Sequence, residues 1–180
     1  MKKRVLCVLF PGFEELETIA PVDLLRRAGA EVILASLAGE KLVVGRCQIA
    51  VHADAALAEV EAEDFDLLLL PGGPGVKDLR ADGRAAGLAR RFAAAGKAVA
   101  AICAAPTVLA DAGLLEGRRF TAHFSTHGEL PKALGGERVV EDGNLITARG
   151  AGTAVEFGLA LVRRLFGEES ARETARAIMV

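Results

Sequence analysis

"FDLLLLPGG", residues 65–73, is the segment that most clearly indicates the architecture of this chain. Its apolar run is continuous, without alternating polar side chains, and it ends in a glycine turn. Such a run is typical of a central strand that other elements cover on both faces, which is the usual situation in a parallel sheet. The stretch therefore predicts a parallel sheet with helices on both sides.

On the N-terminal side of this run, strand-like and helix-like segments alternate. "KRVLCVLF" (3–10) and "EVILAS" (31–36) predict strands, and the segment between them, 14–30, predicts a helix in which Pro21 marks a kink or a new first turn. A weakly alternating segment, 47–57, predicts a further strand or one arm of a hairpin. The helical spacing comes from Leu16, Ile19, Ala20, Leu24 and Leu25.

The C-terminal side continues the alternation. The predicted elements are a helix at 84–96, a strand at 98–103, a helix at 105–115, a strand at 118–123, a hairpin at 137–149 that turns at Asp142-Gly143, and two helices between 153 and 177 that separate near Gly167. No repeat, linker or low-complexity segment interrupts the chain. We therefore expect a single domain over residues 1–180, of the α/β class.

Composition excludes several classes of function. The chain has 180 residues, of which 52% are hydrophobic, and a formal net charge of -2, so no basic surface for nucleic acid or for an anionic membrane is predicted. Trp and Tyr are absent, and no apolar run is long enough for a signal peptide or a membrane span. Three widely spaced cysteines do not suggest a disulfide framework, and we expect a cytoplasmic protein.

Three predicted strands end in segments that carry chemistry. These are "LFPGFEELE" with its glutamates, "LLPGGPG" with Gly72 and Gly73, and "AICAAPT" with Cys103. In open α/β sheets, sites form at the carboxyl ends of the strands. If the three strands are neighbours, these groups therefore meet at one edge of the sheet.

Cys103 has two interpretations. It is either a packed thiol at a strand end or a thiolate that the positive end of the following helix stabilises. One helix terminus provides too little stabilisation, so a second group is needed. Glu17 could supply it as a buried, protonated acid that donates a hydrogen bond to the sulfur, or it could be a solvated residue of the first helical turn; Glu14 and Glu15 are weaker candidates for the same role.

Further candidates surround this edge. The N–H groups of the Gly72–Gly73 turn could polarise a carbonyl oxygen, although the turn lacks the spacing of a nucleotide-binding loop. His123 is either a general base near the thiol or an ordinary surface histidine. With His127 it has the H-x3-H spacing of a metal site, but no further ligands support one, and we predict no metal and no cofactor. Cys7, Cys47 and His52 are interpreted as structural.

The combination of motifs resembles a known family. The segments that carry the resemblance, in this order, are "KRVLCVLFPGFEELETIAPVDLLRRAG", "DLLLLPGG", "AAICAAPTVLADAGLL" and "ITARGAGTAVEFGLALV". Together they resemble the ThiJ/PfpI superfamily, and within it the branch of the Parkinsonism-associated protein deglycase and its bacterial relatives. The resemblance extends over essentially the whole chain. It implies a flavodoxin-like sandwich, a homodimer and chemistry without a cofactor.

The resemblance also implies roles for particular residues. Cys103 would be the nucleophilic, easily oxidised cysteine, Glu17 the protonated acid that hydrogen-bonds it, and His123 the nearby histidine. The backbone amides that would hold an oxyanion are those of Gly72, Gly73 and Ala104. Two further polar positions around the pocket and the subunit seam would be Glu14 and Asp23.

This chain departs from the family pattern in three places. Ala104 stands where the protease-like branch has a histidine, which argues against a Cys–His protease dyad. Cys47 stands where the deglycase branch has an arginine that the partner subunit contributes to the pocket, with Arg46 one residue earlier. His52 stands where the branch often has a cysteine at the subunit contact.

Two functions remain open from the sequence. The first is a glyoxalase III or deglycase type of enzyme, in which a Cys103 thiolate, assisted by Glu17 and His123, converts an aldehyde such as methylglyoxal to lactate or acts on glycated protein thiols. The second is a redox-sensing chaperone or oxidative-stress protein, in which Cys103 is oxidised to sulfinate without turnover.

Overall fold

The computed structural model describes residues 2–180, and its elements alternate between strand and helix. The strands are β1 (Arg4–Leu9), β2 (Glu31–Ser36), β3 (Leu42–Val44), β4 (Ala50–His52), β5 (Ala55–Ala56), β6 (Leu67–Leu70), β7 (Ala98–Ile102), β8 (Val139–Asp142) and β9 (Leu145–Ala148). The α-helices are α1 (Glu15–Arg27), α2 (Leu57–Val60), α3 (Val76–Asp82), α4 (Arg84–Ala94), α5 (Pro106–Asp111), α6 (Ala154–Phe166) and α7 (Glu168–Ala177). Two single turns of 3-10 helix occur at Phe124–Thr126 and Ala151–Thr153.

Seven of the strands form one sheet in the order β5-β2-β1-β6-β7-β9-β8. Neighbouring strands are parallel throughout, except that β8 and β9 form an antiparallel hairpin at one edge. The three strands whose ends carry the candidate residues, β1, β6 and β7, are adjacent at the centre. The α/β fold with a mainly parallel sheet is therefore confirmed.

Burial explains why the 65–73 stretch forms the centre of the sheet. All four leucines of β6 are completely buried, and β1 and β7 flank them. One group of helices, α3, α4 and α5, packs together, and α4 lies against β6 and β7. A second group, α1, α6 and α7, packs together, with α6 against β7 and β9. An apolar strand of this kind is stable because neither of its faces meets water.

The first helix differs from a simple amphipathic helix. Leu16 and Ile19, which contribute to the helical spacing, are 60% and 42% exposed. Glu15, Glu17 and Thr18, by contrast, are buried. Pro21 lies inside one continuous helix. Because proline has no backbone N–H, the helix loses one hydrogen bond at this position. The apolar pattern therefore predicts the helix correctly but not the face that is buried.

Several predicted elements need correction. No strand forms at 118–123, where the Thr121 N–H donates to the Thr147 hydroxyl at 3.0 Å instead of joining a backbone ladder. Of the two alternatives for 47–57, the hairpin arm is correct, because β4 pairs with β3, a strand that the sequence pattern did not indicate. The sequence pattern also did not indicate the short helix α3, Val76–Asp82. The β8–β9 hairpin and the two helices around Gly167 are confirmed.

Within residues 2–180, no helix combines the length and the apolar character that crossing a bilayer requires.

Candidate active site

Cys103 occupies a strained turn directly after β7. Its φ of 66° lies in the left-handed region, which residues with a Cβ rarely adopt and which costs about 1–3 kcal/mol. Two backbone hydrogen bonds hold this conformation: the Cys103 N–H donates to the Ala148 carbonyl at 2.9 Å, and the Cys103 carbonyl accepts from the His123 N–H at 2.8 Å. The turn thus fixes the direction of the thiol relative to β7 and β9.

The helix after this turn begins at Pro106, one residue later than predicted, and has six residues. The turn 103–105 separates Cys103 from it. Two individual amides act on the sulfur: burial raises the pKa of the Cys103 thiol, and hydrogen bonds from the N–H groups of Ala104 and Gly73 oppose this rise.

Glu17 lies against this thiol in the interior of the protein. Its residue is only 1% exposed, and its Oε2 accepts the Gly72 N–H at 3.1 Å. The carboxyl is close enough to Cys103 for a side-chain hydrogen bond to affect the pKa of both groups. Of the two interpretations of Glu17, the structure thus excludes the solvated first-turn residue.

Glu17 can approach Cys103 this closely because Gly72, which lies between them, has no side chain. A Cβ built at this position would lie 2.4 Å from Glu17 Oε2 and 2.6 Å from the Cys103 Cβ, distances at which atoms overlap. The Gly72 N–H points at Glu17, so it is not available as a donor to a substrate oxygen. Of the three amides predicted to hold an oxyanion, the structure directs two, those of Gly73 and Ala104, toward the sulfur.

The ionisation of Cys103 and Glu17 is coupled. Burial raises the pKa of Glu17 to about 7, and the nearby Glu14 adds to the effect, whereas the hydrogen bonds from Cys103 and Gly72 act against it. Burial also raises the pKa of Cys103, and an ionised Glu17 raises it further because two negative charges would then lie side by side. Above about pH 7 the pair therefore holds one proton, and the sulfur becomes negative when this proton passes to Glu17.

His123 borders the site through its backbone, while its ring points into a neighbouring cavity. The ring Nδ1 lies 2.8 Å from the Ser125 hydroxyl, and the imidazole stacks on Phe124 with a centroid distance of 4.2 Å. Burial, together with the charges of His127 and Arg46, lowers the pKa of His123, so its imidazole is neutral at pH 7. Within residues 2–180, no group of three or more acidic, His or Cys side chains is arranged to hold a metal ion.

Two more buried glutamates stand at the start of α1, and sequence reasoning undervalued both. Glu14 caps the helix, because its Oε2 accepts the Glu17 N–H at 2.8 Å. Glu15 Oε1 accepts the Cys47 N–H at 2.7 Å and so holds the loop between β3 and β4. Three acids in four residues signal a charged helix start, but their burial depends on the loop that covers them. Asp23, in contrast, is an exposed partner of Arg27.

The remaining candidates lie on the first sheet strand and on the β3–β4 hairpin. Cys7 is buried in β1, and burial raises the pKa of its thiol to about 12, as expected of a structural cysteine. Cys47, also interpreted as structural, is exposed, and its backbone N–H is the group that Glu15 binds. Arg46 from the same chain lies near enough for its charge to lower the pKa of Glu17. His52 is exposed on β4.

Comparison with known proteins places this geometry in a family. The model of the DJ-1/PfpI family matches residues 3–164. The chain is 40% identical over its whole length to the Drosophila melanogaster protein dj-1beta, and it covers 98% of that protein. It is also 35% identical, over 83% of its length, to a Thermococcus kodakarensis protein named a deglycase, and it covers 91% of that protein. A solved structure of Toxoplasma gondii DJ-1, described as oxidized, superposes with a TM-score of 0.92 at 32% identity and covers 98% of both chains. The resemblance seen in the sequence is thus confirmed, and the chain belongs to the DJ-1/PfpI family, also called the ThiJ/PfpI superfamily.

Proposed function

We propose that this protein is a cofactor-independent cysteine enzyme that converts reactive α-oxoaldehydes to 2-hydroxy acids, such as methylglyoxal to lactate. One observation carries the proposal: the buried carboxyl of Glu17 lies against the Cys103 thiol, within reach of a side-chain hydrogen bond. Such a pair can present a nucleophilic sulfur and a proton donor to the same carbonyl group. The relative named a deglycase supports an aldehyde-directed activity.

In the first step, the Cys103 sulfur attacks the aldehyde carbon and forms a C–S bond. The electrons of the carbonyl double bond move to its oxygen, which takes the proton held by Glu17 and becomes the hydroxyl of a hemithioacetal. The N–H groups of Gly73 and Ala104 stabilise the negative charge, first on the sulfur and then on the developing oxygen. The strained turn at Cys103 keeps the sulfur in a fixed position during this step.

In the second step, a proton leaves the former aldehyde carbon and a proton returns to the neighbouring ketone carbon through an enediol. Glu17, now ionised, and the neutral imidazole of His123 are the groups that exchange these protons. The product is a thioester of the hydroxy acid. Water then attacks the thioester carbon, the C–S bond breaks, and lactate and one proton are released. One carbon is oxidised and its neighbour reduced, so no external oxidant is needed.

A steady-state assay of lactate release from methylglyoxal, with and without glutathione, tests this proposal. We expect Cys103→Ser to abolish lactate formation and Glu17→Gln to reduce kcat/KM about 100-fold or more, the usual contribution of a positioned acid-base group. Cys47→Ser, which removes an exposed thiol outside the pair, is the matched control and should retain wild-type activity. Lactate formation by Cys103→Ser at the wild-type rate would refute the proposal.

A second candidate function is redox sensing. Cys103 is partly exposed, and the amides of Gly73 and Ala104 that face its sulfur could equally hold the oxygens of a sulfinate. The Toxoplasma gondii relative described as oxidized favours this alternative. A peroxide-dependent protection of an unfolding client protein, lost in Cys103→Ser and accompanied by no lactate release, would identify this function.

We further propose that the protein works as a homodimer in the cytoplasm, where its three free cysteines would stay reduced. The subunit contact would use an exposed apolar patch on α1 and the β3–β4 hairpin, formed by Leu16, Ile19, Leu42, Val44 and Ile49. The two parts of this patch are joined, because Glu15 of α1 binds the hairpin loop. Exposed apolar patches of this kind mark interaction surfaces.

A further inference from the structure

A cavity of about 430 Å³ lies beside the Cys103 turn and carries only basic charge. Its walls come from the segment around His123 and His127 and from the segment 149–153, with Arg138 at the edge. No Asp or Glu side chain lines it. The electrostatic character of this cavity therefore favours an anion.

The two arginines of this cavity differ in their contacts. The Arg138 guanidinium binds both carboxylate oxygens of Glu156, at 2.9 and 2.8 Å, and also the Gly152 carbonyl. The Arg149 side chain is half-buried, and within residues 2–180 it makes neither an ion pair nor a hydrogen bond. A guanidinium offers five donors in a planar fork that matches a carboxylate or phosphate. The charge of Arg149 acts on Glu156, but its guanidinium donors are free to bind an anion in the cavity.

A second unsatisfied group belongs to the wall of the same cavity. His127 lines it, and its Nε2 atom is buried without any hydrogen-bond partner in the described part of the chain. A buried polar atom without a partner destabilises the fold. An oxyanion bound by Arg149 would satisfy this atom as well, once the imidazole turns Nε2 toward the cavity.

The cavity is directly connected to the proposed catalytic turn. The imidazole of His123 lines the cavity, while its backbone N–H binds the Cys103 carbonyl. Arg149 follows Ala148, whose carbonyl accepts the Cys103 N–H. Gly150 lies against the ring of His123, since a Cβ there would be 3.4 Å from its Cδ2 atom. The cavity and the Cys103 turn are therefore neighbours, as a substrate that extends from the sulfur into the cavity requires.

We infer that this cavity binds the anionic end of the substrate, so that the preferred substrate is an α-oxoaldehyde with a carboxylate or phosphate at its far end. The inference rests on the proposed function and specifies its substrate class. The reaction is the same internal oxidation and reduction: 4,5-dioxopentanoate and water give 2-hydroxyglutarate and a proton. Arg149 binds the anion with its planar fork, and His127 donates through Nε2 in the tautomer that carries a proton there.

The kinetic test compares three α-oxoaldehydes: neutral methylglyoxal, 4,5-dioxopentanoate with its carboxylate, and 3-phosphooxy-2-oxopropanal with its phosphate. We expect wild-type kcat/KM for one anionic substrate to exceed that for methylglyoxal about tenfold or more, and the better substrate identifies the anion. Arg149→Gln should abolish this preference through KM, and Arg149→Lys should restore part of it. The matched control is Arg164→Gln, an exposed arginine on α6, which should retain the wild-type preference.

A binding experiment separates this inference from the proposed function. Glutarate and inorganic phosphate are titrated separately into the full chain while NMR follows the ring nitrogens of the three histidines. We expect a saturable shift at His127 with at least one anion, lost in Arg149→Gln with its fold confirmed by circular dichroism. Absence of any shift, or turnover of methylglyoxal without an anion preference, overturns the anionic site. Absence of all turnover together with a His127 shift refutes the enzymatic proposal and leaves the anion site standing.

Discussion

The backbone N–H of Gly72 donates to Oε2 of Glu17 at 3.1 Å, and this contact joins the end of β6 to the first turn of α1. It brings a buried acid to the cysteine at the end of β7. A parallel sheet makes the contact possible, since β1, β6 and β7 are adjacent and their carboxyl ends lie at one edge. The proposed chemistry depends on this short connection.

Gly72→Ala should therefore disable the site. The added Cβ would overlap with Glu17 Oε2 and the Cys103 Cβ, so these side chains must separate. We expect kcat/KM for methylglyoxal to fall about 100-fold or more, which is the contribution of a displaced acid-base group. Gly87→Ala in α4 is the matched control, because nothing lies within 4 Å of its Cβ position. That variant should keep its activity and gain about 0.5–1 kcal/mol of stability. Equal activities of the two variants would contradict the geometry.

The shared proton should control the reactivity of the thiol. In a Cys47→Ser background, we expect the midpoint of Cys103 alkylation by iodoacetamide to lie well above pH 7, because burial and the neighbouring Glu17 raise the pKa of the thiol. Glu17→Gln removes the negative charge that adds to this rise, while the effect of burial remains. The midpoint should then move down by about one pH unit or more. An unchanged midpoint would mean that the two groups ionise independently.

Glu17 should also make stability depend on pH. Its pKa in the folded protein, about 7, lies above the ordinary value of 4.5, so the folded state binds more protons than the unfolded state between these values. The stabilising contribution is present below about pH 4.5 and is lost as pH rises through 7, for a total of about 3 kcal/mol. Urea unfolding at a series of pH values should show this decline in the wild type and a smaller decline in Glu17→Gln. Parallel curves for the two proteins would rule out the raised pKa.

Glu15 should stabilise the loop between β3 and β4 rather than act in catalysis. Glu15→Ala removes the acceptor of the Cys47 N–H and leaves that amide without its partner. We expect a loss of about 1–3 kcal/mol in unfolding free energy and faster hydrogen exchange at the Cys47 amide. Glu15→Gln keeps an acceptor oxygen and should lose less. Unchanged exchange at Cys47 in the alanine variant would contradict this role.

The apolar patch on α1 and the β3–β4 hairpin should hold the proposed dimer together. Leu16 is 60% exposed and Ile49 is 56% exposed, and charge at either position would have to lose its hydration in a subunit interface. Analytical ultracentrifugation should show a dimer for the wild type and a monomer for the double variant Leu16→Lys, Ile49→Lys. Met179→Lys, at an equally apolar but separate position that is 92% exposed, should remain a dimer. A monomeric wild type would exclude the proposed assembly.

Local sequence patterns are sufficient to predict the class of fold, most strand positions and the turn that carries Cys103. These features follow from local patterns: the apolar run of β6 requires cover on both faces, and a small-residue turn after a strand exposes the side chain that it carries. The 118–123 segment shows the limit of such patterns. It has the composition of a strand, but its backbone N–H groups bind scattered acceptors, the Asp142 carboxylate, the Thr147 hydroxyl and the Cys103 carbonyl, instead of a neighbouring strand.

Long-range packing, which no local pattern predicts, establishes which acids are buried and which charged side chains form ion pairs. Leu16 and Glu17 are neighbours in the sequence, yet the packing of α1 exposes the leucine and buries the acid. Likewise, Arg138 finds Glu156 while Arg149 finds no partner, although both are arginines near one hairpin. Burial and pairing depend on contacts between segments far apart in the chain, and these contacts set the pKa of the Cys103–Glu17 pair and the charge of the cavity beside it.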